Sequence, residues 1–408
     1  MVPQPAYPPR EDPLPPSLTW ALSRILPGRE ETLLLRSILQ RGPSATEAWK
    51  AFSSRIPDLT SLFRTDTGGR KRLSPLLLTS VRENDLDAAP GLMTVLRTAY
   101  LREQLRAKAY REISGEVYEA LRVRGIRFLV LKGAALSETA YLEPCFRHSH
   151  DIDLLLPKED LKEAEEALTD LGLGRRYSLP WDRGIVFRHA SDLPILLLST
   201  LYRLSFYQAE FETLWSGRRQ VASEPLGPIQ ILAPADNLVH ALGHASYCPS
   251  RSSLVWVTDA WMILHSDEVM DWELFEGRTR ESRLEAPVFV LLRYLKQQIQ
   301  APIPVEALDG VGALAAGAGK LRRDVALYGA RQARGKHPKL AGLIRPGWKE
   351  RMTLLFWELF PSSEYISWAY EEPPRAFIPA IYLMRPFTYL AEVLKWRFLG
   401  LLKSSTTH

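Results

Sequence analysis

The sequence predicts an α+β fold: a small mixed β-sheet core flanked by N-terminal and C-terminal helical regions. Three observations carry this expectation. Apolar residues recur with helical spacing from Ser17 to about Arg124. At Arg124-Gly125 the pattern changes to short bulky runs separated by turn residues, which read as strands with helices packed against them. Beyond about Pro234 helical spacing returns. The expected division is a mobile proline-rich leader over 1–16, a helical region over 17–124, a mixed core over 125–220 and a second helical region over 221–408.

In the first helical region the apolar cluster Leu33, Leu34, Leu35, Ile38 and Leu39 follows a break at Pro27-Gly28. The last helix of that region spans roughly Leu92 to Val123, with Val95, Leu101, Leu105, Tyr110, Ile113, Val117 and Leu121 expected to face inward. Ile126 to Leu131 then reads as a buried strand, ended by Lys132-Gly133 and followed by a short helix from Ala134 to Tyr141. A second strand runs from Asp151 to Leu156 and is closed by Pro157. An amphipathic helix from Lys158 to Leu171 places Leu161, Ala164, Leu168 and Leu171 on one face. Two more strand-like runs are Ile185 to His189 and Ile195 to Ser199, and the later helices cover Ala235 to Ser246, Leu254 to His265, Val288 to Gln298 and segments after Leu321.

With 408 residues, 46% hydrophobic and 24% charged, the chain can bury two or three cores, so disorder is not the expectation. The net charge of +5 comes without a long Lys/Arg run or an aromatic-basic ladder, which argues against nucleic acid as the partner. A positive patch around an anionic ligand accounts for the excess. Cys145 and Cys248 are far apart and form neither a disulfide framework nor a zinc motif, as expected in a reducing cytoplasm. Pro3 to Pro16 lacks the basic-then-apolar pattern of a signal peptide. Pro379 to Leu402 is apolar but interrupted by Arg385, Pro386, Glu392, Lys395 and Arg397, so it reads as an amphipathic packing helix and no membrane span is expected.

The strongest chemical signal is Asp151-Ile152-Asp153 ahead of Leu154-Leu155-Leu156. Side chains two apart on a strand share a face, so the two carboxylates converge while Ile152 and Leu154 point to the core. Repulsion between them asks for a cation, and Mg²⁺ is commonly held by one or two carboxylates together with substrate phosphates. Taken alone, Asp-x-Asp before an apolar strand equally describes a solvated turn. Lys132-Gly133 lies upstream at a strand end that opens a helix, where backbone N–H groups can meet a phosphate and Lys132 can add a charge. His240 and His244 share a helix face without an evident third metal ligand, so they are expected to line a cleft or pack inside. Asp259 is a candidate buried acid anchored by a hydrogen bond. Gly310-Val311-Gly312 and Gly319-Lys320 lack the surroundings of nucleotide-binding loops.

Leu131, Lys132, Gly133, Leu136, Tyr141, Arg147, Asp151, Ile152, Asp153 and Leu154 together resemble the motif of the bacterial uncharacterised nucleotidyltransferases of the polymerase-beta-like superfamily. The resemblance runs from about Leu92 to near Pro386 and includes Leu232 to His244 and Leu254 to Leu264. It implies transfer of a nucleoside monophosphate from a nucleoside triphosphate to an acceptor, a small molecule, peptide or protein. It also implies that Asp151 and Asp153 hold Mg²⁺ or Mn²⁺, with Lys132, Gly133 and Arg147 near the phosphates. Arg147 has an alternative role, pairing with Asp151 or Asp153 to hold the loop.

One departure stands against that pattern. The superfamily usually carries a third carboxylate on a later strand, where this chain reads Ile195-Leu196-Leu197-Leu198-Ser199, with Leu196 in the acidic position. Asp192 lies four residues away, over about 10 Å along a strand, too far to substitute. Two functions therefore compete: a Mg²⁺-dependent nucleotidyltransferase, and a catalytically reduced relative that binds a nucleotide or a partner. A nucleic-acid binder would need a continuous basic groove.

Overall fold

The computed structural model describes residues 12–65, 69–176, 184–202, 206–224, 226–247, 254–332 and 374–388, together with positions 348, 352, 356, 359, 360, 366, 390 and 391. It divides into one unit of Met1–Arg175 with Arg183–His337, and a second of Arg176–Asp182 with Pro338–His408.

The first unit opens with helices α1 (Pro16–Ser23), α2 (Arg29–Leu39), α3 (Pro43–Ser53), α4 (Leu59–Thr65), α5 (Ser74–Glu83) and the long α6 (Pro90–Val123). Proline in the first turn starts α1, α3, α5 and α6, where its missing N–H removes one unpaired donor. Glu31 reaches back to the Gly28 N–H at 2.8 Å and caps α2. Ahead of α1, Leu14 is buried and Asp12 pairs with Arg293 at 3.1 Å. Residues 1–11 of the expected leader lie outside the described residues.

The inward stripe of α6 is Leu92, Leu96, Ala99, Glu103, Ile113, Val117 and Leu121. This corrects the expected one at two positions, since Leu101 is 58% and Leu105 73% exposed. Six residues separate Leu101 from Val95, a rotation of about 240° at helical periodicity, which carries Leu101 off the stripe. The inward place between Ala99 and Ile113 belongs to Glu103.

The sheet follows. Its strands are β1 (Leu129–Val130), β2 (Ile152–Leu155), β3 (Gly174–Arg176), β4 (Gly184–Arg188), β5 (Pro194–Leu198), β6 (Arg219–Ser223) and β7 (Gly227–Ile231), in the spatial order β3-β4-β5-β2-β1-β7-β6. Parallel pairs β2–β5 and β1–β7 alternate with antiparallel β1–β2, β4–β5 and β6–β7, so the sheet is mixed, as expected. Helix α7 (Lys132–Thr139) joins β1 to β2, α8 (Leu161–Asp170) follows β2, and α9 (Phe211–Ser216) precedes β6. The helix α7 starts two residues before the expected Ala134, at the lysine itself. A 3-10 turn, Lys158–Asp160, takes the first residues expected in α8, and Leu171 lies beyond its end, 39% exposed.

Helices α10 (Pro234–Tyr247), α11 (Val255–Leu264), α12 (Trp272–Glu281), α13 (Glu285–Tyr294), α14 (Val305–Gly317) and α15 (Lys320–Gln332) complete this unit. Gly310 and Gly312 sit inside α14, as their lack of a preceding strand implies. The N-terminal helices pack back on these: Thr32 Oγ1 meets the Tyr294 hydroxyl at 2.9 Å, and Gln40 Nε2 donates to the Ile299 carbonyl at 2.9 Å.

One face of the sheet builds the core from Val130, Ile152, Leu154, Phe187, Ile195, Leu197, Ile229 and Ile231, covered by Ala164 and Leu168 of α8 and by Val117 and Leu121 of α6. Asp151 and Asp153 alternate with these residues. In the second unit, Arg375–Phe377 form a 3-10 turn leading into helical residues 378–388. Residues 389 and 392–402 of the expected amphipathic helix, and Cys248, lie outside the described residues. No helix among the described residues is long and apolar enough to cross a membrane.

Phe187 of β4 is fully buried in the sheet core. Phe187→Ala is expected to lower stability by about 3–5 kcal/mol, read as a fall in the denaturant midpoint.

Candidate active site

The site is made by the turn that ends β1. Leu131 remains extended, and its N–H donates to the Asp153 carbonyl at 3.0 Å, continuing the β1–β2 ladder. Lys132 then takes φ +51, a left-handed conformation that costs a side-chain-bearing residue roughly 1–2 kcal/mol. The turn sets Lys132 Nζ 2.6 Å from Asp153 Oδ2. Asp153 is 1% exposed, so this is a buried ion pair at the floor of the site.

Gly133 follows in the first turn of α7. A Cβ there would collide with Ser149 Oγ and come within 3.2 Å of the Arg147 guanidinium, so both side chains would have to shift to make room for one, and glycine lets them lie against the helix start as they stand.

Arg147 follows the 3-10 turn Pro144–Phe146, and its guanidinium forms a two-pronged bond to Asp259 of α11: Nε to Oδ1 at 2.7 Å and Nη2 to Oδ2 at 3.0 Å. Its remaining Nη1 donates to the His148 carbonyl. The loop-holding pairing expected with Asp151 or Asp153 is therefore made with Asp259 instead. Burial opposes the charge on Arg147, but the adjacent Asp259 carboxylate outweighs it and raises the pKa of the guanidinium. Asp259 Oδ1 also accepts from the Tyr141 hydroxyl at 2.8 Å, which is the anchoring hydrogen bond expected of that buried acid. Burial, then the Asp259 charge, pushes the Tyr141 hydroxyl far up.

Asp151 stands at the mouth of β2, with a quarter of its side chain exposed and His150 Nε2 at 3.6 Å. Burial, then the neighbouring Asp153 carboxylate, raises the Asp151 pKa, while Lys132, His150 and Arg147 draw it down. The two carboxylates are thus close enough to repel. Beside them, the parallel β2–β5 register sets Leu196 directly opposite Asp153. The strand position where an added carboxylate would face the site is apolar. Asp192 is in the β4–β5 turn, left-handed at φ +68, and bonded to Arg188, where it cannot substitute.

Three further residues, Glu103, His148 and His150, were not singled out by the sequence. Glu103, 4% exposed, hydrogen-bonds His148 Nδ1 at 2.8 Å. Burial works against its charge, but the bond to His148 and the charges of His148, Arg106 and Arg102 prevail and lower its pKa. Burial likewise lowers the His150 pKa. An acid on the inward stripe of α6 was the available signal for Glu103. For the histidines it was their position three residues and one residue ahead of Asp151. Glu103, Arg106, Glu138, Arg147, Ser149 and Asp151 line one small cleft of about 30 Å³.

His240 is buried on α10 with the rings of Tyr202 and His244 at 6.0 and 6.3 Å, which fits packing. Among the described residues no group of three or more His, Cys, Asp or Glu side chains is arranged to hold a metal by itself.

The chain belongs to the uncharacterised nucleotidyltransferase family, whose model matches residues 65–299, more than half its length and every residue of the site. The crystal structure of an antigenic nucleotidyltransferase-like protein from Paracoccidioides brasiliensis is similar over 48% of this chain and 95% of that one, at 12% identity and a TM-score of 0.33, a likeness too slight to carry an argument. No curated protein matches the chain.

Two outcomes follow from the geometry. Asp259→Asn leaves the buried Arg147 charge without its counter-ion and is expected to cost about 3–5 kcal/mol in denaturant unfolding. Asp151→Asn should act oppositely. A carboxylate whose pKa is raised on folding is a liability once pH exceeds that value, so in metal-free buffer the variant should melt higher than the parent at neutral pH. The advantage should vanish in acid, below the ordinary carboxylate pKa, where Asp151 is protonated folded or unfolded.

Proposed function

We propose that the chain transfers a nucleoside monophosphate from a nucleoside triphosphate to an acceptor, with Asp151 and Asp153 as the metal-holding pair and the Lys132-Gly133 turn as the phosphate seat. The observation that carries this is the joint placement of two mutually repelling carboxylates and a lysine at the start of a helix. The donor set fits Mg²⁺, with Mn²⁺ as a substitute. Such an ion takes one or two carboxylates and completes its oxygen shell with water and substrate phosphates, so a third protein ligand is not required. Bound there, it would neutralise charge developing on the phosphates.

The remaining work falls to the chain itself. Lys132 neutralises Asp153 and, from the same turn, can offer its ammonium to a phosphate oxygen. The N–H groups at the start of α7 point toward that anion. Gly133 keeps the approach open, as its contact with Ser149 and Arg147 requires. Arg147, tied to Asp259, acts by positioning the segment that leads into Asp151, and its charge still favours anions nearby. Because Lys132 pairs with Asp153, nucleotide and metal should bind cooperatively: a phosphate that draws Lys132 away frees the carboxylate for the ion. The acceptor is a small molecule, peptide or protein.

A second function, nucleotide or partner binding without turnover, is favoured by Leu196 facing Asp153 and by the Lys132–Asp153 bond.

Calorimetry with ATP, GTP, CTP and UTP, each with Mg²⁺, tests the assignment. At least one should bind with a dependence on Mg²⁺, and Asp151→Asn/Asp153→Asn should weaken it at least about tenfold, or about 1.4 kcal/mol. No binding to any of the four would contradict the assignment.

A further inference from the structure

We infer that His148, held by Glu103, is the base that takes the proton from a hydroxyl-bearing acceptor, an inference that rests on the transfer reading. Attack by a neutral hydroxyl on the α-phosphorus needs a group to accept its proton. Asp151 is assigned to the metal, and Asp153 is poorly placed for this. Asp153 is sealed and bound to Lys132, and the adjoining strand offers only Leu196.

His148 supplies what is missing. Its Nδ1 is engaged by Glu103 at 2.8 Å, while its Nε2 has no hydrogen-bond partner among the described residues and is not among the atoms sealed from solvent. A carboxylate on one ring nitrogen fixes the tautomer, leaving the other nitrogen as the acceptor, and stabilises the imidazolium that forms. Glu103 is itself fixed. It is 4% exposed on the rigid α6, with Arg102 Nε at 3.4 Å and Arg106 Nε at 3.6 Å. The His150 ring stacks 6.3 Å from His148, and the Arg147 guanidinium holds the His148 carbonyl. Glu103 and Asp151 line the same cleft. His150, on which the His148 ring stacks, has its Nε2 3.6 Å from Asp151 Oδ2, so His148 stands beside the Asp151 end of that cleft, near an acceptor next to a phosphate seated there.

The step balances as follows. The acceptor O–H proton passes to His148 Nε2, the oxygen lone pair forms the new O–P bond, and the bond from the α-phosphorus to the bridging oxygen breaks. That electron pair leaves on pyrophosphate. Glu103 is a positioning residue in this scheme: it holds the ring and its charge, and does not touch the acceptor.

The test is pyrophosphate release from whichever of the four Mg²⁺-nucleotides binds most tightly, with water as the acceptor, alongside calorimetric binding of that nucleotide. His148→Asn keeps an N–H for the buried Glu103 carboxylate but lacks the second ring nitrogen. Glu103→Gln keeps the side-chain shape but lacks the charge. Both variants should bind nucleotide within about twofold of the parent. His148→Asn should lower kcat by about 100-fold or more, Glu103→Gln by less. Hydroxylamine, whose nitrogen lone pair attacks without prior deprotonation, should restore most of the loss in His148→Asn, which a merely structural role for His148 would not allow. Parental kcat in His148→Asn, a loss that hydroxylamine does not relieve, or a parent protein that binds nucleotide without releasing pyrophosphate would each overturn the dyad and leave the binding assignment standing. Failure of the parent to bind any of the four nucleotides would overturn the transfer reading and the dyad with it.

Discussion

The ion pair between Lys132 and Asp153 is the constraint on which the site depends. The Asp153 carboxylate is taken out of water and the Lys132 ammonium largely so, and removing one partner of such a pair commonly costs about 3–5 kcal/mol. Its geometry requires Lys132 to adopt a left-handed backbone conformation at the junction of β1 and α7. The β1–β2 ladder and the buried start of α7 hold that strained turn in place. The same turn aims the first N–H groups of α7 and delivers Gly133 to the segment from Arg147 to Asp151. A strained residue held by its surroundings at a strand-to-helix junction suits a site that must present charge in a fixed direction.

A second ion pair works at one remove. Arg147 and Asp259 join the loop before β2 to a helix more than a hundred residues later, and Tyr141 closes the same cluster. The loop therefore enters β2 along a path set by α11, so that Asp151 arrives at the strand mouth beside Asp153. On the opposite flank, His148 and Glu103 tie the loop to α6. The segment from Arg147 to Asp153 is thus pinned from two sides by buried, charge-assisted hydrogen bonds, the kind of support that gives a site its precision.

Much of this was legible in the sequence. The helix–sheet–helix order followed from apolar spacing, and Asp-x-Asp before a bulky run located the carboxylates because the two-residue period of a strand fixes which side chains share a face. The resemblance put Leu196 where a third carboxylate is usual, and the parallel register sets it beside Asp153. Other features escaped for physical reasons. Strands β6 and β7 carry few bulky residues and include Pro228, so propensity is silent and pairing defines them, β7 with β1 and β6 with β7. The inward face of α6 was misassigned because Leu101 and Leu105 are apolar yet exposed, while the acidic Glu103 is buried by its bond to His148. Partners distant in sequence, such as Arg147 with Asp259, leave no local pattern from which to read them.

The central claim is that Lys132 holds Asp153 until a phosphate draws it away, so that metal and nucleotide bind together. Electron paramagnetic resonance of Mn²⁺, titrated into the protein with and without a non-hydrolysable ATP analogue, addresses this directly, with Lys132→Met as the control. Mn²⁺ affinity should rise about tenfold or more with the analogue, a coupling of about 1.4 kcal/mol, after subtraction of its binding to the analogue alone, and in Lys132→Met the ion should bind without needing it. Equal Mn²⁺ affinity with and without the analogue in the parent protein would contradict the account.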